Sequence, residues 1–215
     1  MPQTALARFF TLLAEATPDQ VFNPWTQSDV TTDAPQNGPV ARRERLRSHL
    51  KTSPNQILIG EAAGYQGCHV SGIPFTSERL VISGEVPRVP GDGSRLSTRR
   101  LPWSEPSATI VWKTLHALGI ATDTVLWNAY PWHPHRPGNP HSNRTPNRSE
   151  RTQGLVVLEA LLSIFPRAVI YAVGRQAEAA LLACDRRCIA LRHPSMGGAT
   201  SFRRGLEVGI RYSRA

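Results

Sequence analysis

Apolar positions along this chain recur with two different rhythms, and the switch between them marks its organisation. From Thr4 to Ala16, Leu6, Phe9, Phe10, Leu12 and Leu13 fall at helical spacing, and Pro18 ends the pattern. Residues 18–39 are rich in Pro, Asn, Asp and Thr with Phe22 and Trp25 interspersed, as expected of an irregular segment pinned by aromatics. A second helix is expected over 39–51, with Val40, Leu46 and Leu50 facing the core and Arg42, Arg43, Glu44, Arg45 and Arg47 facing water. After Pro54, short apolar runs take over at 56–60, 124–128, 168–174 and 188–191. Helical patterns at about 107–118, 150–163 and 175–183 separate them, and a last one lies near 201–212. Strands alternating with helices of that length require crossover connections and a sheet covered on both faces. The expected fold class is α/β: a three-layer α/β/α sandwich with a central, mainly parallel four-stranded sheet. One domain is expected over 1–215, with residues 1–54 as a helical extension packed on it.

In such sheets ligands bind beyond the carboxyl ends of the strands, which directs attention to three loops. The first, Gly60 to Leu80, carries Gly60, Gly64, Gly67 and Gly72, which allow close backbone approach to a ligand. It contains neither GxGxxG nor a P-loop pattern. Glu61 directly follows the strand, where it can orient a water as a general base or cap nearby N–H groups. Phe75, after the rigid Gly72-Ile73-Pro74, can offer a flat face to a base or serve the core. The second loop, Asn128 to Glu150, begins with a strand-terminal amide able to donate and accept on a base edge. Its exposed stretch with His133, His135, Arg136, His141, Arg144 and Arg148 suits phosphate contact or solvent. His133, His135 and His141 also raise a metal-centred alternative, but no carboxylate lies among them to complete a shell, so no metal is expected. In the third loop, His193 follows the last strand and can donate to an oxygen that gains charge. Met196, before Gly197 and Gly198, sits where an apolar tip could wedge into a base stack or tuck into the core.

Composition narrows the class. Of 215 residues 40% are hydrophobic, enough for a core, and no apolar run approaches a membrane span. The three cysteines Cys68, Cys184 and Cys188 have no paired spacing, which argues against a disulfide scaffold and for a reducing, cytoplasmic setting. The net charge of +9 comes almost entirely from arginine, whose fork grips phosphate at two points. It is concentrated: Arg186, Arg187, Arg192, Arg203, Arg204, Arg211 and Arg214 lie in the last 30 residues against the single acid Glu207.

The sequence resembles the uracil-DNA glycosylase superfamily. The resemblance is carried by Gly60-Glu61-Ala62-Ala63-Gly64, by Gly72-Ile73-Pro74-Phe75, by Asn128, and by His193-Pro194-Ser195, over roughly residues 55–200. The first motif places the chain nearest the GEAPG-bearing, thermophile-type branch. That branch usually holds an iron–sulfur cluster through four cysteines; with three here, no cluster and no other cofactor are expected. The resemblance implies a monomeric DNA-repair glycosylase that flips out a deaminated base, uracil first, and hydrolyses its N-glycosidic bond. Glu61 and His193 would be catalytic. Gly60, Ala62, Tyr65, Phe75 and Asn128 would bind the base. Gly64, Ser195, Met196, Gly197, Arg136, Arg144 and Arg203 would hold the DNA. The alternative is a catalytically silent nucleic-acid-binding member of the same fold.

Overall fold

The computed structural model describes residues 3–15 and 17–213. A helix α1 (Gln3–Leu13) leads into a two-residue strand β1 (Val21–Phe22) and helix α2 (Pro39–Leu50). The alternating part follows: β2 (Gln56–Ala62), the short helices α3 (Cys68–Ser71) and α4 (Glu78–Ile82), α5 (Pro106–Ala117), β3 (Thr124–Tyr130), β4 (His133–Pro134), α6 (Arg148–Ile164), β5 (Val169–Val173), α7 (Arg175–Ala183), β6 (Ile189–Leu191) and α8 (Ala199–Ser213). The main sheet has the order β3-β2-β5-β6 with every pairing parallel. It is the α/β/α sandwich with a four-stranded parallel sheet that the pattern of apolar runs predicts. Beyond it, β1 and β4 pair as a small antiparallel ribbon too short to leave a periodic signal. Among the described residues, no helix is long and apolar enough to cross a membrane.

Side-chain alternation along the strands builds two cores. Ile57, Ile59, Val125, Trp127 and Ala172 point to a layer made by α1, α2, α6 and α7. Leu58, Leu126, Tyr171 and Val173 point to the opposite layer, made by α4, α5 and α8.

Helix α2 differs from the amphipathic expectation, and the difference matters for the site. Val40 is exposed, whereas Arg42 is completely buried and Arg45 is half-buried. Arg42 pairs with Asp33 and donates to the carbonyls of Gln27 (3.1 Å), Pro24 (3.3 Å) and Val70 (3.3 Å). Arg45 donates to the carbonyl of Ser71 at 2.8 Å. A guanidinium presents five donors, so it can satisfy several buried carbonyls that have no strand or helix partner. Gly72, at φ +77°, lies so close that a Cβ there would come within 2.7 Å of the Arg42 side chain and 2.9 Å of its carbonyl. Trp25 adds an indole N–H to the Gly72 carbonyl at 3.1 Å. The N-terminal segment therefore braces the backbone of 70–72, from which the first loop turns to Phe75.

The same segment closes a sheet edge. His49 accepts the Leu126 N–H at 2.9 Å, and Arg88 donates to the Thr124 carbonyl at 3.1 Å, so the outer rim of β3 is not left unpaired. Burial holds His49 neutral, at a pKa of about 3, as an acceptor must be. Replacing Arg42 by Ala strips the buried Asp33 of its counter-charge, leaving it the neutral donors of Asn37 and the Asp29 N–H, and removes the donor that the carbonyls of Pro24 and Gln27 depend on. The loss expected is about 3–5 kcal/mol of unfolding free energy in a urea titration, far more than the roughly 1 kcal/mol or less of a solvent-facing helix arginine.

Candidate active site

The ends of β2 and β3 are in register, with Gly60 opposite Asn128. Gly60 has no side chain for a packing reason. A Cβ there would lie 2.5 Å from the Phe75 ring and 2.7 Å from the Asn128 Oδ1. The missing side chain lets an aromatic ring and an amide meet over the same backbone atom. Asn128 is almost fully buried, and no described residue hydrogen-bonds its side-chain amide. Phe75 adopts the left-handed conformation, φ +52°, which is strained for an aromatic residue and is held by its neighbours. The Ser71 hydroxyl accepts from the Ile73 N–H (3.1 Å) and lies 2.7 Å from the Thr76 carbonyl, and the Trp112 indole N–H donates to the Thr76 hydroxyl at 3.0 Å.

His193 completes the group. Its ring centroid is 6.5 Å from that of Phe75, with the planes inclined by 36°. The Ser195 backbone N–H donates to His193 Nδ1 at 3.1 Å, and the Ser195 hydroxyl lies 2.7 Å from the same atom. A nitrogen that accepts a backbone N–H carries no proton, so the neutral ring bears its hydrogen on Nε2. Desolvation, assisted by the Arg192 charge, lowers the pKa and favours this neutral donor. Gly198 permits the turn, because a Cβ there would lie 2.0 Å from the His193 carbonyl.

These groups line one cleft of about 810 Å³. The first loop contributes Glu61, Ala62, Gly64 and Phe75; the second contributes Asn143, Arg144 and Thr145 beside Asn128; the third contributes His193, Ser195, Met196 and Gly197. Gly60 lies directly behind Phe75 and Asn128. Met196 is exposed at the rim in the left-handed conformation, φ +49°, rather than in the core. Glu61 lines the cleft with Oε1 buried and unpartnered among the described residues.

Three expected positions lie elsewhere. Tyr65 sets its ring edge-on against Trp103 with centroids 5.4 Å apart, outside the cleft lining. Arg136 is exposed in a tight turn bridged to Asn139, and Arg203 is exposed on α8; neither lines the cleft. Arg144 does line it, but both of its terminal nitrogens are engaged by Glu150 at 2.7 Å, which also caps α6 through Asn147. The second loop is also less solvated than its composition suggests. His133 is fully buried, with Nδ1 2.8 Å from His69 Nδ1 and Nε2 2.8 Å from the Ser142 carbonyl.

Sequence reasoning missed Glu105. It occupies the N-cap position of α5, yet its side chain makes no capping bond. It lies instead against Gly67, where a Cβ would sit 1.9 Å from Oε2, and lines the cleft. Desolvation pushes its pKa up to about 7. The available signal was the dipeptide Glu105-Pro106 at a helix start, which reads as an ordinary cap.

The strand-end loops of a doubly covered parallel sheet thus gather an aromatic ring, an open amide and a neutral imidazole donor. The sequence profile of the uracil DNA glycosylase superfamily matches residues 48–205, and the chain belongs to that superfamily. No curated protein matches it significantly. Among solved structures, wild-type SMUG2 from Pedobacter heparinus superposes with a TM-score of 0.64 over 99% of this chain and 98% of its own, at 13% identity.

This match, which spans the N-terminal segment as well, corrects the expected placement in the GEAPG-bearing, cluster-holding branch. The first motif misleads for a physical reason. Gly60 is demanded by the approach of Phe75 and Asn128, a constraint on any pocket built in this way rather than the mark of one branch. Cys68, moreover, is buried in the apolar core, and Cys184 and Cys188 flank the far end of α7.

Two predictions follow from this geometry. Gly60→Ala forces Phe75 and Asn128 apart; a folded variant with at least a 100-fold loss of ligand-dependent function is expected, checked by circular dichroism beside a functional assay. Glu105 has a raised folded-state pKa, so its contribution to stability is intact below the unfolded value near 4.5 and is lost as pH rises through about 7. Glu105→Gln should therefore come close to wild type at pH 4 and exceed it at pH 8 by up to about 2 kcal/mol, a value reduced for the carboxyl's partial exposure. Urea unfolding at the two pH values checks this.

Proposed function

We propose that the protein is a monofunctional DNA glycosylase that takes a deaminated base, uracil above all, out of the helix and hydrolyses its N-glycosidic bond. The observation that carries the proposal is the meeting of Phe75 and Asn128 over Gly60 in a cleft that the neutral His193 also lines, its ring 6.5 Å from that of Phe75. Membership of the uracil DNA glycosylase superfamily supports it independently.

In this reading the flipped base stacks on Phe75, and the Asn128 amide pairs with its imide edge, donating to O4 and accepting from N3–H. As the bond from C1′ to N1 breaks, its electron pair passes into the ring and charge gathers on O2. The Nε2–H of His193 is the donor for that oxygen, and being already neutral it needs no protonation to act. The sugar is left as an oxocarbenium ion. A water adds to C1′ and gives up a proton to the carboxylate of Glu61, which lines the cleft. That proton then returns to the departed uracil anion, leaving an abasic sugar and free base.

Backbone N–H groups of Gly64 and Gly197 would hold flanking phosphates, Ser195 would serve the DNA-facing loop by orienting His193, and the exposed Met196 would fill the space left by the base. Arg136 and Arg203 would add longer-range attraction that salt weakens. Arg144, tied to Glu150, would act by positioning Asn143 and Thr145.

Single-turnover incubation with single-stranded and duplex uracil oligonucleotides, followed by alkali, tests the proposal. Strand cleavage at uracil is expected, falling about 10²- to 10³-fold in each of Asn128→Ala and His193→Ala with DNA binding largely retained. DNA binding without cleavage at any deaminated base would contradict it and leave a binding protein.

A further inference from the structure

Behind the second loop lies a side-chain cluster that plays no part in the mechanism above. Asp29, His69 and His141 bring one ligand atom each to within 4.8 Å of one another. Both imidazoles approach the same carboxylate oxygen: His69 Nε2 is 3.0 Å and His141 Nε2 2.9 Å from Asp29 Oδ2. The Thr32 hydroxyl donates to that same oxygen (2.6 Å), and the Thr31 hydroxyl (2.6 Å) and N–H (3.0 Å) donate to the other, which fixes the carboxylate plane.

The hydrogens in this cluster do not add up if it holds only neutral histidines. His69 is linked onward, Nδ1 to Nδ1, with His133, whose Nε2 faces the Ser142 carbonyl. The chain thus runs from a carboxylate, through two rings, to a carbonyl, and both ends can only accept. Its three links need three hydrogens, and two neutral imidazoles bring two. One more cation belongs in the chain. At the carboxylate end, His69 Nε2 and His141 Nε2 both face Asp29 Oδ2, so three donor atoms already surround one point. A metal ion at the Asp29 end resolves the count. His69 Nδ1–H then donates to His133, His133 Nε2–H donates to the carbonyl, and each link has its one hydrogen. A metal-bound histidine needs its other N–H held by an acceptor, and here His133 fills that place and relays the bond to the Ser142 carbonyl.

We propose that Asp29, His69 and His141 bind a structural divalent transition-metal ion, for which Zn²⁺ is the best match. Two imidazoles and one carboxylate are a borderline-soft donor set suited to Zn²⁺ and unsuited to Mg²⁺ or Ca²⁺, which take oxygen shells. The ion would fasten three separate segments. Asp29 belongs to the N-terminal segment, His69 follows the cleft-lining Cys68, and His141 precedes the cleft-lining Asn143. The ion would therefore set the spacing of the first two cleft loops without touching the reacting atoms. The three ligands come from far-apart stretches, and the set differs from His133, His135 and His141, the trio that spacing alone suggests. The carboxylate missing from that trio is supplied by Asp29.

The test uses the full chain, purified without a histidine tag, dialysed against a chelator and titrated with Zn²⁺. One Zn²⁺ per chain is expected, with the Tm rising by about 5–10 °C once free Zn²⁺ exceeds Kd 100-fold, and with Mg²⁺ and Ca²⁺ inert. His141 is the most accessible ligand, so His141→Ala should still fold and should weaken binding by at least about 10- to 100-fold. The proposal is overturned if the folded, chelated protein takes up no stoichiometric Zn²⁺, or if His141→Ala binds as tightly as wild type. The third hydrogen would then be a proton. Uracil excision is a separate readout, so either conclusion can fail without the other.

Discussion

The buried guanidinium of Arg42 is the contact on which the site's geometry depends, because of what it allows the backbone to do. Residues 70–76 reverse direction within a few residues, pass through a left-handed glycine and leave an aromatic residue in a left-handed conformation as well. A segment bent so tightly cannot satisfy its carbonyls with a regular partner, and buried carbonyls left bare are costly. Arg42 and Arg45 meet those of Val70 and Ser71, Trp25 meets that of Gly72, and the close approach of Arg42 leaves room at position 72 for glycine only. Phe75 is delivered over Gly60 because the turn before it is held from below. The strain at Phe75 thus has a source of support that lies in the N-terminal segment rather than in the cleft.

From that point the parallel sheet does the rest. Gly60 and Asn128 are paired neighbours on adjacent strands, so the amide reaches Phe75 through register alone. His193 follows β6, at the far side of the sheet, and its loop is shaped by Gly198 and Ser195 so that the ring keeps its hydrogen on Nε2. Three loops that are distant in sequence therefore present an aromatic face, an open amide and a neutral imidazole donor to a single space. Two carboxyls, Glu61 and Glu105, share its wall: desolvation pushes Glu105 up toward neutrality, and Glu61 keeps an oxygen without a partner among the described residues.

Much of this was legible in the sequence, for identifiable reasons. Parallel strands buried on both faces leave unbroken apolar runs, so β2, β3, β5 and β6 stood out, as did the glycines and the His193-Pro194-Ser195 turn at their ends. The errors share a cause as well. Arg42 and Val40 were assigned to the wrong faces because helical periodicity weighs a charge as solvent-seeking and cannot see carbonyls that need donors. His133 read as exposed because its neighbours are prolines and arginines, whereas its partner His69 lies 64 positions earlier. Glu105 went unnoticed because position at a helix start says nothing of where the side chain turns. The branch was misjudged because Gly60 answers a packing constraint that a short motif cannot separate from ancestry. In each case the missing information was a partner remote in sequence.

The central claim is that Phe75, Asn128 and His193 act on one base in one pocket. A crystal structure with DNA carrying 2′-fluoro-2′-deoxyuridine, whose fluorine resists oxocarbenium formation, tests it most directly. The uracil is expected outside the helix, stacked on Phe75, with the Asn128 amide on its imide edge and His193 Nε2 within about 3 Å of O2. A base left stacked in the DNA, or seated away from these three side chains, would contradict the account.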